Sequence, residues 1–178
     1  QKRLESKVIS EIVTEDKLLE VLGQQRVHAV ANQFKNNLHY SFLSSVLTAQ
    51  YADKKFAFDE TTLGDLCRQM VYRTSFKRFE KDYGIPHTEF VNSICQREVS
   101  AKPSIILIAA QRFCDVIRNV AITIVFPAKK GKIVGYLFKP KKDPPENAET
   151  ESFCVFYDSS TCTFKAVVLA CHKRKVAE

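Results

Sequence analysis

Cysteine and histidine are the side chains of this sequence that could do nucleophilic or acid–base chemistry near neutral pH, and it holds six of the first and four of the second. A thiol nucleophile needs a place at a helix N-terminus and an imidazole within hydrogen-bond reach. No cysteine stands just before a predicted helix, and the neighbours Cys171 and His172 point to opposite faces of a strand. We therefore expect no intact catalytic constellation.

Motifs for metals and cofactors are missing from the sequence as well. The cysteines form no C-x-x-C pair, and the histidines have no zinc-ligand spacing. No P-loop, G-x-G-x-x-G or H-E-x-x-H run occurs. We expect no metal and no cofactor. Because a chain of 178 residues can build a core without disulfides, we also expect reduced thiols and a cytoplasmic or nuclear protein.

The elements that must position any site follow from hydrophobic spacing. That spacing predicts helices over residues 41–51, 59–83, 87–95 and 104–116, and strands over 26–31, 121–126, 133–138, 153–157 and 164–171. Helices followed by a strand-rich end indicate an α+β domain, with a small mixed sheet packed between helices. We divide the chain into an N-terminal helical extension (1–25), a main domain (26–172) and a basic C-terminal tail (173–178). No apolar run of about 18 residues occurs, so we expect no membrane span.

Four segments of the sequence follow one another in an order that is also found in a known protein family. The run Ser41-Phe42-Leu43-Ser44-Ser45-Val46 comes after a predicted strand and a polar turn, and residues 101–109 lead into the predicted buried helix. Residues 119–124 lead into the next predicted strand, and Thr163-Phe164-Lys165-Ala166-Val167 opens the last one. In this order they resemble the catalytic helix, the Ile-Glu-Leu-x-Ala helix, the next strand and the terminal His-Tyr-x-x-Val strand of the ovarian-tumour (OTU) family of deubiquitinating cysteine proteases. The resemblance spans residues 26–170 and implies an OTU-like cysteine-protease fold.

The resemblance assigns roles position by position. It places Ser41 at the nucleophile position and Thr163 at the histidine position, and Leu38-His39-Tyr40 replace the family's Asp-Gly-Asn turn. A serine without a base is an ordinary alcohol, and threonine cannot shuttle protons near neutral pH. The resemblance therefore implies a catalytically degenerate domain that is not an enzyme. We interpret Ser41 as the N-cap of its helix.

Two groups of residues are candidates for contact with a partner. The first group, His39 and Tyr40, would line a cleft at the predicted turn, and the alternative is that they are simply exposed. The second group lies between the last strands, and its alternative is a solvated hairpin. Its members are Lys129, Lys130, Lys132, Lys139, Lys141 and Lys142.

Three functions are compatible with this sequence. The first is a non-catalytic, pseudo-deubiquitinase-like scaffold that binds a protein partner, possibly ubiquitin-like. The second is a basic nucleic-acid-binding module, which the formal net charge of +7 permits and which predicts affinity that falls steeply with salt. The third is an active deubiquitinating hydrolase whose site is not recognisable in the sequence.

Overall fold

A computed structural model describes residues 11–13, 27–30, 37–50, 60–72, 75–96, 100–127, 133–141, 150–159 and 162–169 of the chain. The helices are α1 (Leu38–Gln50), α2 (Glu60–Val71), α3 (Phe76–Tyr83), α4 (His87–Ile94) and α5 (Pro103–Arg112), which continues into a π-helical turn, Phe113–Ile117. The strands are β1 (Glu11–Val13), β2 (Val27–Val30), β3 (Val120–Pro127), β4 (Ile133–Phe138), β5 (Glu151–Asp158) and β6 (Thr163–Leu169).

The sheet is mixed and its strands lie in the order β1-β4-β3-β5-β6-β2. The pair β3–β5 is parallel, and the other four pairs are antiparallel. The parallel pair is joined through β4, which pairs with β3 on its other side. This arrangement, together with the helices, confirms the predicted α+β class. None of the helices within the described ranges has the length and apolar character needed to cross a membrane.

The predicted helix over residues 59–83 is in fact two helices, α2 and α3. The hydroxyl of Ser75 accepts a hydrogen bond from the backbone N–H of Arg78 at 3.2 Å, so Ser75 caps a new helix. Serine competes in this way with the continuation of a helix, which the apolar spacing alone does not reveal. The predicted end is correct, because Gly84 adopts the left-handed conformation (φ 82°) that closes α3.

The N-terminal segment also differs from the prediction. Glu11–Val13, inside the segment predicted as a helical extension, forms a strand that pairs with Gly135–Leu137 of β4. This pairing corrects the helical assignment for these three residues, because a β-branched Ile-Val pair suits a strand when a sheet edge is available. The other residues of 1–25, and the whole of the predicted tail 173–178, lie outside the described residues.

The core forms where α1 packs on β5 and β6. Phe42 is fully buried and meets the ring of Phe164 edge-on, with the ring centroids 5.5 Å apart. Leu43 and Val46 of the same helix are also fully buried. Each such side chain contributes about 1.5–3 kcal/mol relative to an exposed one. The packing therefore fixes α1 firmly against the start of β6.

Candidate functional site

The N-terminus of α1 is built by Asn37 and Ser100. The side-chain oxygen of Asn37 accepts the backbone N–H of Tyr40 at 3.0 Å, and its carbonyl accepts the N–H of Ser41 at 2.9 Å. The Ser100 hydroxyl accepts the N–H of Leu38 at 2.9 Å. The helix thus begins at Leu38, and Asn37 is its N-cap. The prediction that Ser41 caps this helix is wrong, because Asn37, in the predicted polar turn, is an equally good cap four residues earlier.

Ser41 instead joins α1 to β6. Its hydroxyl accepts the backbone N–H of Phe164 at 2.6 Å and donates to the carbonyl of the same residue at 3.3 Å. One hydroxyl therefore satisfies both backbone groups of Phe164, as a residue of a neighbouring strand would. The two residues are separated by 123 positions in the sequence. The side chain of Ser41 is fully buried, at 0% exposure.

Thr163 is the first residue of β6 and directly precedes Phe164. It is 2% exposed, and it stands opposite Asp158 in the register of the β5–β6 pair. The Ser41 hydroxyl thus bonds the backbone of Phe164, the residue that follows Thr163 in β6. Sequence reasoning could propose this juxtaposition only through the resemblance, because no local pattern links the two segments.

His39 lies inside the first turn of α1 and bridges it to the segment before α5. Its Nε2 lies 2.9 Å from the carbonyl of Gln96, and its Nδ1 accepts the backbone N–H of Ala101 at 3.2 Å. These contacts assign the tautomer that carries its proton on Nε2. Burial lowers the pKa of His39 from 6.5 to about 4, against the opposing effect of the Gln96 hydrogen bond. The ring is therefore neutral at pH 7, and neither nitrogen is offered to Ser41.

The structure places the predicted contact residues of the turn in the core. His39 is 1% exposed and Tyr40 is 5% exposed, and their rings meet edge-on at 5.1 Å. The hydroxyl of Tyr40 points to Gly64 of α2, where an added Cβ would lie 3.3 Å from it. Neither ring reaches the surface where a partner could contact it. The reason is that α1 begins earlier than predicted, so both residues belong to a buried helical turn.

Two of the six predicted contact lysines lie in the described part of the chain. Lys139 and Lys141 are both exposed, directly after β4. The ammonium of Lys141 lies 4.5 Å from the ring centroid of Tyr83, and its backbone N–H is bonded to Asp115 at 2.9 Å. Lys129, Lys130, Lys132 and Lys142 lie outside the described residues. Nucleic-acid binding through this segment stays a prediction.

Three of the cysteines are poor candidates for a nucleophile. Burial raises the pKa of the Cys67, Cys114 and Cys154 thiols to about 12, so each is protonated at pH 7. Cys95 and Cys162 are exposed free thiols. Cys162 has a positive φ of 52° and donates to the carbonyl of Ser159 at 3.6 Å. It stands beside Thr163, at the turn that opens β6.

The fold and the α1–β6 junction together define an α+β domain in which a buried helix start meets the first residues of a sheet strand. Among solved structures, the chain is similar to the Hazara virus OTU domain bound to ubiquitin, with 9% identity over 83% of this chain and 84% of that chain and a TM-score of 0.49. It is similar to the OTUD1 OTU domain, with 15% identity over 85% and 92% of the two chains and a TM-score of 0.43. It is also similar to the viral OTU domain protease from Taggert virus, with 9% identity over 81% and 80% and a TM-score of 0.45. The chain matches no protein-family model and no curated protein sequence.

These comparisons correct one expectation from the sequence. The absence of a recognisable nucleophile and base led us to expect a chain that is not an enzyme. The similar structures are OTU domains, and one of them is named a protease, so the expectation of a chain that is not an enzyme is withdrawn. We had inferred the lack of enzymatic activity from only two positions, Ser41 and Thr163, whereas the comparisons concern the whole fold.

Proposed function

We propose that this chain is a deubiquitinase-like OTU domain that binds ubiquitin or a ubiquitin-like protein. The observation that carries the proposal is the junction between α1 and β6, where the Ser41 hydroxyl holds both backbone groups of Phe164. An OTU-like layout requires these two elements to meet at this end of each. The Hazara virus OTU domain is bound to ubiquitin in its solved structure, and that partner is extended to this chain as part of the proposal.

Recognition is tested by adding the unlabelled chain to ¹⁵N-labelled ubiquitin and to labelled ubiquitin-like modifiers, and by following the amide shifts. We expect saturable shifts on one contiguous face of one of these proteins. A dissociation constant of about 1 mM corresponds to only about −4 kcal/mol, so even weak recognition is visible at that concentration. No shifts from any of them at about 1 mM would contradict the proposal.

The chemistry of the same site is measured with a ubiquitin probe that carries an electrophile at its C-terminus. A covalent adduct, mapped by mass spectrometry, identifies the reacting side chain directly. The variant that tests whether this adduct depends on the α1–β6 junction is Ser41→Ala. The matched control is Ser44→Ala, which makes the same chemical change in the same helix at a half-buried residue.

A further inference from the structure

A cavity of about 710 Å³ lies beside α3 and shares no residue with the α1–β6 junction. It is bounded by α3, by the π-helical turn after α5 and by the residues that follow β4. Its charged lining comprises four cationic and two acidic side chains. These are Arg78, Arg112, Arg118, Lys141, Asp82 and Asp115. The lining therefore has two more positive than negative charges, and the volume is within the range of about 300–1,000 Å³ for small-molecule sites.

Arg112 lies at the buried wall of this cavity and is 5% exposed. Its Nε donates to the carbonyl of Met70 at 2.8 Å, and one terminal nitrogen donates to the carbonyl of Tyr72 at 2.9 Å. Its guanidinium carbon lies 5.6 Å from the ring centroid of Tyr83. Within the described ranges, no carboxylate forms an ion pair with Arg112. A buried cation that is bonded only to neutral groups gains from an anion that enters beside it.

The cations at the rim are loosely held. Arg78 and Lys141 share the carboxylate of Asp82, at N–O distances of 3.7 and 3.9 Å, which are longer than hydrogen bonds. Arg118 is exposed, and its side chain makes no ion pair with any described residue. These three side chains can turn towards a ligand without breaking a strong interaction.

The second acid of the lining, Asp115, is already occupied by neutral donors. The hydroxyl of Tyr83 donates to it at 2.9 Å, the side-chain amide of Gln111 at 3.1 Å, and the backbone N–H of Lys141 at 2.9 Å. These bonds hold the π-helical turn, α3 and the residues after β4 in one arrangement. Asp115 thus braces the wall of the cavity and forms no direct ion pair with its arginines.

We propose that this cavity binds the phosphate group of a small molecule. A phosphate monoester carries about −1.5 to −2 charges near pH 7, which matches the excess of two positive charges in the lining. Its three oxygens can accept the forked N–H groups of Arg112 and Arg118 together with the ammonium of Lys141. A monocarboxylate offers one charge and two oxygens, and it therefore leaves part of the site unmatched.

The test is a calorimetric titration of the full chain with inorganic phosphate, at low salt and without divalent metal, beside a titration with acetate. We expect saturable binding of phosphate that is at least about tenfold tighter than that of acetate, since hydrogen bonds to charged groups are worth a factor of ten or more. Arg118→Gln and Lys141→Gln should each weaken it about tenfold. Lys77→Gln, an exposed residue of α3 that does not line the cavity, is the matched control and should leave it unchanged.

Four results would overturn the proposal. The first three are no saturable heat with phosphate, equal affinity for acetate, or an equal loss in Lys77→Gln, which would show attraction to the general surface charge. The fourth is binding of a short single-stranded RNA when phosphate does not bind, which would favour a nucleic-acid surface. The variants change exposed side chains, and matching thermal melts confirm that each is folded.

Discussion

Replacing Ser41 by alanine tests the central contact of the structure. The change removes one buried hydroxyl and leaves the backbone N–H of Phe164, now bonded at 2.6 Å, without its partner. A buried donor left unsatisfied costs about 1–3 kcal/mol. In a chain of this size each kcal/mol shifts the melting temperature by about 2–4 °C. We therefore expect Ser41→Ala to melt about 2–12 °C below the parent protein.

The measurement is thermal and urea unfolding followed by circular dichroism, with Ser44→Ala as the control. Ser44 lies in the same helix and is half-buried, and alanine is the better helix former, so the control should stay within about 0.5 kcal/mol of the parent. A change in the urea midpoint at constant slope would assign the loss to native-state stability. If both variants unfold together with the parent, the Ser41 hydroxyl does not hold β6 and the reasoning about the junction fails.

Three further predictions concern other residues. The pKa of His39 is about 4 in the folded chain and about 6.5 in the unfolded chain. As the pH falls from 6.5 to 4, the unfolded state therefore takes up a proton that the folded state does not, and the free energy of unfolding drops by at most about 3 kcal/mol. In urea titrations the free energy of unfolding should depend less steeply on pH for His39→Gln than for the parent protein, and an unchanged dependence would contradict the assignment. Arg112→Lys should cost about 1–3 kcal/mol in the same assay, because one ammonium cannot replace a guanidinium that bonds two carbonyls at the end of α2, and no loss would contradict that role. In a double-mutant cycle, Gly64→Ala should cost less stability in the Tyr40→Phe background than in the parent protein. The reason is that the new Cβ would lie 3.3 Å from the Tyr40 hydroxyl, which Tyr40→Phe removes. Strictly additive losses of stability would argue against the close approach.

Several elements follow closely from local patterns in the sequence. The strand β4 has the predicted bounds, Ile133–Phe138, and α4 begins at the predicted His87. Both are short segments whose limits are set by nearby Pro, Gly and polar residues, and these effects act over a few positions. The end of α3 at Gly84 follows from the same local rules.

The start of α1 was harder to predict, because this helix is buried on nearly every side. Ten of its residues are buried, including His39, Tyr40 and Ser41. A helix without a polar face gives no amphipathic pattern from which its first turn or its exposed side can be read. Polar residues there suggested a turn, whereas the fold supplies His39 and Ser41 with distant hydrogen-bond partners.

The sequence by itself determined most of the helices and strands, the α+β class and the basic character of the chain, because spacing, caps and composition act locally. Only the tertiary structure decided that Ser41 meets Phe164 and that His39 joins Gln96 to Ala101. Such contacts join groups that are 57 to 123 positions apart. A side chain does not encode which distant backbone group it will satisfy; the packing of α1 on the sheet does.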